Sequence, residues 1–331
     1  MSAQRGARGS SSPEQLGLFG SLSSRGVDAA PISLKVNDLA TQLPPEIRMG
    51  TSSWSFPGWD GLVWAGRHSA EALSAGGLVA YARHPLLRAA GIDRTFYSPL
   101  SAPAFAHHAA QVPDGFRFLV KASQRCTFPW LRDGRGAGAE NPRWLDPSFA
   151  RDAVVAPAVE GLGDRLGVLL FQFPPLPRAH SRDPGRFTER LGTFLSALPP
   201  GVPYAVEIRN VELLGAAYAA ALAAAGASHG FTVHPSMPSL EAQSAVAPVE
   251  AQPLLVVRWM LGHGRGYEEA RDLYAPFDRL ADPDPESRTS VAALVRRAAE
   301  RGKQGLVIVN NKAEGSSPLS IVELAREIAR P

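Results

Sequence analysis

The chain has 331 residues, of which 45% are hydrophobic and 20% charged, a composition that supports a sizeable core and excludes global disorder. Its 34 basic and 31 acidic residues leave a formal charge of only +3, so net charge alone gives no sign of a nucleic-acid binder. Cys126 is the sole cysteine, which excludes an intramolecular disulfide and a thiolate zinc cage.

Residues 1–45 read as a disordered tail, beginning MSAQRGARGSSSPEQ, too poor in apolar groups to offset the entropy of ordering. An apolar island at 15–19 (QLGLF) is either a docking segment or an incidental contact with the domain surface. The tail carries no hydrophobic signal core, and no stretch approaches about 18 uninterrupted apolar residues. A cytoplasmic location without a membrane span is the expectation.

From residue 46 onward, eight short apolar runs end in polar or charged residues. They cover 47–54, 91–97, 116–121, 166–172, 204–209, 228–234, 254–259 and 306–311. Continuous apolar runs of this length suit strands covered on both faces, as in a parallel sheet. Helical patterns alternate with them at 70–83, 102–111, 148–162, 185–198, 211–225, 289–301 and 318–330. Pro318 suits a first helical turn, and Gly226 is placed to end the fifth helix. Two insertions, 132–147 and 262–287, follow the third and seventh runs, where a barrel grows lids and binding elements. The sixth unit, 235–252, is Pro-rich without clear helical period, so its helix is expected to be missing. The whole predicts one α/β domain over 46–331, a single (βα)8 barrel irregular at its sixth unit; roughly 250 residues suffice for such a fold.

A barrel builds its chemistry at the carboxyl ends of its strands. Lys121 closes FRFLVKAS, where a lysine serves as Schiff-base nucleophile, general base or anion anchor, unless it is a surface residue beyond the last buried one. Glu207 and Arg209 alternate in YAVEIRN and share a face, as a structural ion pair or as a proton-transfer carboxylate beside an anion-gripping guanidinium. Arg258 ends LLVVRW and completes a two-arginine clamp. Asn310 and Asn311 end LVIVNN and are suited to a substrate oxygen, although either can instead satisfy loop backbone. Gln172, Tyr97 and Trp54 also fall at the rim, within an aromatic group whose members are at least half core residues. No metal site and no cofactor are expected. The eight histidines are scattered, and phosphate-loop, dinucleotide and nucleophile-elbow patterns are absent. Of the 34 basic residues only Lys35, Lys121, Lys303 and Lys312 are lysines, which makes Lys121 stand out.

In order along the chain, GTSSWSFPGWDG, TFYSP, PDGFRFLVKAS, LGVLLFQFPP, VEIRN and VNNKAEGSSP resemble the YecE-like family of domains of unknown function. The resemblance covers about residues 50–330 and implies a TIM barrel, with no settled activity. It implies a polar set of Thr95, Tyr97, Lys121, Gln172, Glu207, Arg209, Arg258, Asn310 and Asn311. The chain departs from the family pattern at Gly91 (an acid), at Asn210 and around Met260 (histidines), and at Ser320 (an asparagine). These departures remove proton-transfer groups.

The leading expectation is therefore an enzyme acting on a small polar or anionic substrate. Lys121 and Glu207 would be its catalytic pair, with Trp54, Tyr97, Gln172, Arg209, Arg258, Asn310 and Asn311 binding. Hydrolase, isomerase and lyase chemistry all fit. The alternatives are a barrel that binds or cleaves phosphodiesters and a non-catalytic ligand-binding protein; nucleic acid is the less favoured partner.

Overall fold

The apolar runs pair as eight parallel strands that close a barrel in sequence order. They are β1 (Ile47–Thr51), β2 (Ala89–Ile92), β3 (Arg117–Lys121), β4 (Leu166–Gln172), β5 (Tyr204–Glu207), β6 (Ser228–Val233), β7 (Leu255–Trp259) and β8 (Gly305–Val309). The seam is a five-residue register from Ile47 opposite Gly305 to Thr51 opposite Val309. This computed structural model describes residues 26–131, 138–262 and 264–330. The island at 15–19, residues 132–137 of the first insertion and His263 lie outside the described residues.

Side chains alternate across each strand, so one parity fills the barrel and the other packs under the helices. Ala89, Leu119, Val168, Leu170, Ala205, Val256, Leu306 and Ile308 form the interior cluster. Tyr204, Val206, Val257, Trp259, Val307 and Val309 belong to the larger core between barrel and helices. The inward parity carried two residues further reaches Lys121, Gln172, Glu207, Arg258 and Asn310.

Three expectations change. The second run is a strand only over Ala89–Ile92, followed by a 3-10 turn at Asp93–Phe96. The Thr95 hydroxyl lies 2.6 Å from both the Ile92 and the Lys121 carbonyls and turns the chain there. The sixth unit does contain a helix, Leu240–Val246. It is anchored by the buried Gln243, whose carboxamide donates to the Thr232 and Pro238 carbonyls at 2.8 Å and accepts from the Thr232 N–H at 3.0 Å. A polar anchor leaves no apolar period to read. Residues 26–45, assigned to the tail by composition, fold onto the barrel. A helix at Leu34–Thr41 buries Leu39, and Ala30 N–H donates to Val63 O at 3.0 Å. Among the described residues no helix is long and apolar enough to cross a membrane.

Candidate active site at the barrel mouth

At the carboxyl ends of the strands a cavity of about 380 Å³ is lined by Asp93, Tyr97, Lys121, Gln172, Arg209 and Arg258, with His234, Met260, Tyr267 and Asn310 completing its wall. Met260 directly follows β7, and Tyr267 belongs to the insertion beyond it, which supplies one side of the mouth as expected of such a loop. Beneath it, Glu207 is fully buried and accepts from Arg209 Nε at 2.7 Å and from Arg258 Nη1 at 2.9 Å, one guanidinium on each oxygen. Arg258 Nη2 reaches Asp93 Oδ2 at 3.2 Å. Gly230 makes room for this network: a Cβ there would lie 3.2 Å from that of Glu207.

Arg258 is 1% exposed with both terminal nitrogens committed, so it bridges two carboxylates. Arg209 gives Nε and Nη2 to Glu207, while its Nη1 has no partner among the described residues. Lys121 differs from both arginines. Its ammonium lies 3.8 Å from the Phe96 ring centroid, and among the described residues no carboxylate pairs with it. Three cations against two carboxylates leave the cluster one positive charge in excess.

Burial pulls the Lys121 ammonium down to about 8; Asp93 and Glu207 oppose this, while Arg258 and Arg209 reinforce it. Burial pushes Glu207 up, but Arg209 and Arg258 outweigh it and bring the carboxyl down to about 2. His234, half-buried, is pulled down to about 4 by that burial and by nearby Arg209, and is neutral at pH 7; its Nδ1 lies 2.9 Å from Ser236 Oγ. Lys121 is thus the group of this cluster poised to exchange a proton near neutral pH.

Lys121, Gln172, Glu207, Arg209, Arg258 and Asn310 converge at the mouth, and Tyr97 stands at its edge, 76% exposed. Glu207 and Arg209 form the buried pair just below the mouth that their alternation predicts, and Arg258 joins it. Both Glu207 oxygens are occupied by guanidiniums that hold it ionised, and it ties the two arginines together. Two residues lie elsewhere. Asn311 has the outward parity of β8, and its Oδ1 accepts from Trp59 Nε1 at 3.2 Å and from Ser317 N–H at 2.9 Å, holding the β8 loop. Trp54 is buried edge-on against His108 and Phe118 in the core under the helices.

Asp93 was not anticipated. Its Oδ2 holds Arg258, and its Oδ1 is buried without a partner among the described residues. A charged residue directly after the apolar AAGI was the available signal, masked by reading the strand through to Tyr97. Among the described residues no group of three or more His, Cys, Asp or Glu could hold a metal ion. A second hollow of about 540 Å³ borders His234, but it is lined by hydroxyls, apolar groups, Glu241 and Glu286, with no Lys or Arg.

Fold and site together define a (βα)8 barrel with a lysine–arginine–carboxylate cluster at its carboxyl-end mouth. The chain belongs to the family described as Protein of unknown function DUF72, whose profile matches residues 48–331. It is similar in fold to a DUF72 family protein from Thermotoga maritima MSB8, at 19% identity and a TM-score of 0.58, over 86% of this chain and 99% of that one. A DUF72 family protein from Enterococcus faecalis V583 gives 16% identity and a TM-score of 0.55, over 86% and 95% of the two chains. No curated protein matches the sequence.

Proposed function

We propose that the protein is an enzyme acting on a small anionic substrate at the barrel mouth, with Lys121 as its proton-transfer group and Arg209 as its anion contact. The observation that carries this reading is the unpaired Lys121 ammonium facing a cavity whose other charges pair off among themselves. Losing the Lys121 proton brings the cluster to neutrality; a bound anion compensates the proton instead. Anion affinity is therefore greatest below about pH 8 and falls above it, and by reciprocity a bound anion raises the Lys121 pKa. Gln172, whose carboxamide has no partner among the described residues, and Asn310, which donates to Ser52 Oγ at 3.3 Å, are suited to a substrate oxygen.

The test is a thermal-shift screen of small carboxylates and phosphates on wild type, Lys121→Ala and Arg209→Ala. A ligand at a hundred times its Kd stabilises by about 2.7 kcal/mol. The reading expects that response in wild type, its loss in both variants, and a Lys121→Ala melting temperature no lower than wild type. Equal responses in all three proteins would contradict it.

A phosphodiester ligand has one feature in its favour. Tyr97 and Tyr267 are 76% and 59% exposed at the cavity edge, and exposed rings there suit a stacked base. A salt-titrated gel shift on single-stranded DNA separates the readings; absence of binding at low salt removes this one.

A further inference from the structure

Resting on the anionic-substrate reading above, we infer that Lys121 is a covalent nucleophile whose amine condenses with the carbonyl of a small 2-oxo acid, the acid's carboxylate being held by Arg209. Charge alone does not call for a lysine at this place. Thirty of the 34 basic residues are arginines, and an arginine would anchor an anion with more donors and a permanent charge. What lysine adds is a primary amine that can be uncharged. Lys121 faces the cavity over the Phe96 ring, no hydrogen bond or ion pair holds its amine among the described residues, and burial works against its charge.

Two uncommitted polar groups line the same cavity and fit the steps that condensation requires. Arg209 Nη1 is free to take a carboxylate oxygen. The Gln172 carboxamide can donate to the carbonyl oxygen. Asp93, whose Oδ2 holds Arg258, stands beside the same cavity. The Nζ lone pair attacks the carbonyl carbon, forming C–N as the C=O π bond breaks onto oxygen. Proton transfer from nitrogen to oxygen gives the carbinolamine. The C–O bond then breaks and water leaves, giving the imine, so that amine plus carbonyl yield imine plus water.

The test is reductive trapping on the full chain. Wild type and Lys121→Arg are incubated with glyoxylate, pyruvate or 2-oxoglutarate, treated with sodium borohydride, and analysed by intact mass and peptide mapping. Melting temperatures with each acid, and with its 2-hydroxy counterpart, are recorded in parallel. Only three other lysines, Lys35, Lys303 and Lys312, and the N-terminus compete for the label. The inference expects one reduced adduct per chain with at least one acid, mapped to Lys121, growing as pH rises from 6 through about 8, and wholly lost in Lys121→Arg. Stabilisation by the acids without a Lys121 adduct overturns the imine while leaving the anion site standing. Labelling spread evenly over the lysines also overturns it. Neither stabilisation nor adduct overturns both readings.

Discussion

At Lys121 folding places an amine against an aromatic face and removes much of its water, and the two effects oppose each other. The ring attracts the cation by about 1–2 kcal/mol, whereas desolvation favours the neutral amine. Desolvation wins, and the group titrates at about 8 instead of 10.5. The unfolded chain thus keeps a proton that the folded chain has lost, and stability rises between those two pH values by about 3 kcal/mol. Replacing Lys121 with Met removes the half-buried cation. We expect Lys121→Met to be more stable at pH 7 by about 1–3 kcal/mol and to lose most of the alkaline rise. Denaturant midpoints at pH 7 and 10 measure both, and a destabilised, still pH-sensitive variant would count against the argument.

Glu207 has the opposite sign. Its folded pKa of about 2 lies below the ordinary 4.5, so its contribution is fully present above about 4.5 and is lost as pH falls toward 2, about 3 kcal/mol in all. Glu207→Gln keeps the shape but leaves Arg209 and Arg258 without their shared counter-charge. Breaking a buried pair in this way costs about 3–5 kcal/mol. Urea unfolding at pH 7 should show that loss, and acid unfolding of the variant should have a shallower pH dependence. A loss under 1 kcal/mol would mean that the arginines find other partners.

At the scale of the element, the 3-10 turn at Asp93–Phe96 does two tasks: it brings Asp93 onto Arg258 and lays the Phe96 ring beside Lys121. Its position rests on the Thr95 hydroxyl. Thr95→Val keeps the volume and removes the hydrogen bonding, so stability should drop by about 1–3 kcal/mol, and the Lys121 titration should move as Phe96 and Asp93 loosen. Unchanged Lys121 chemistry in a destabilised Thr95→Val would separate the turn from the site.

This turn also marks where the sequence stopped being readable. Five of the site residues, Lys121, Gln172, Glu207, Arg258 and Asn310, follow from strand periodicity, because each lies two positions beyond an inward apolar residue. Asp93 did not follow, since the turn that places it is set by a carbonyl 26 residues away, and the aromatic TFY reads as more strand. The Asn310–Asn311 doublet hid a similar choice: adjacent residues face opposite sides, and only the register assigns one to the mouth and the other to Trp59. Trp54 fits a rim or a core equally well by type, and packing against His108 decided it. Gln243 anchors the sixth helix through polar contacts that carry no periodic signal.

Across the whole molecule, the barrel separates stability from chemistry. The β1–β8 seam and the helix Ser317–Ala329, with Ile321, Leu324 and Ala325 fully buried, hold the last strand against the first. Leu324→Ala should cost about 2–5 kcal/mol through the cavity it opens, yet leave the anion-induced thermal shift intact. Loss of that shift in a variant still folded at 25 °C would show that mouth and scaffold are coupled more tightly than the layering implies.

The central claim is that Lys121 carries a positive charge that no carboxylate of the cluster compensates, at a cavity built to accept an anion. With only four lysines in the chain, a ¹³C-lysine NMR titration resolves its side chain directly. The account predicts a Lys121 midpoint at about 8, moving upward when a binding carboxylate is added. A midpoint at the ordinary lysine value of about 10.4, indifferent to added anions, would contradict it.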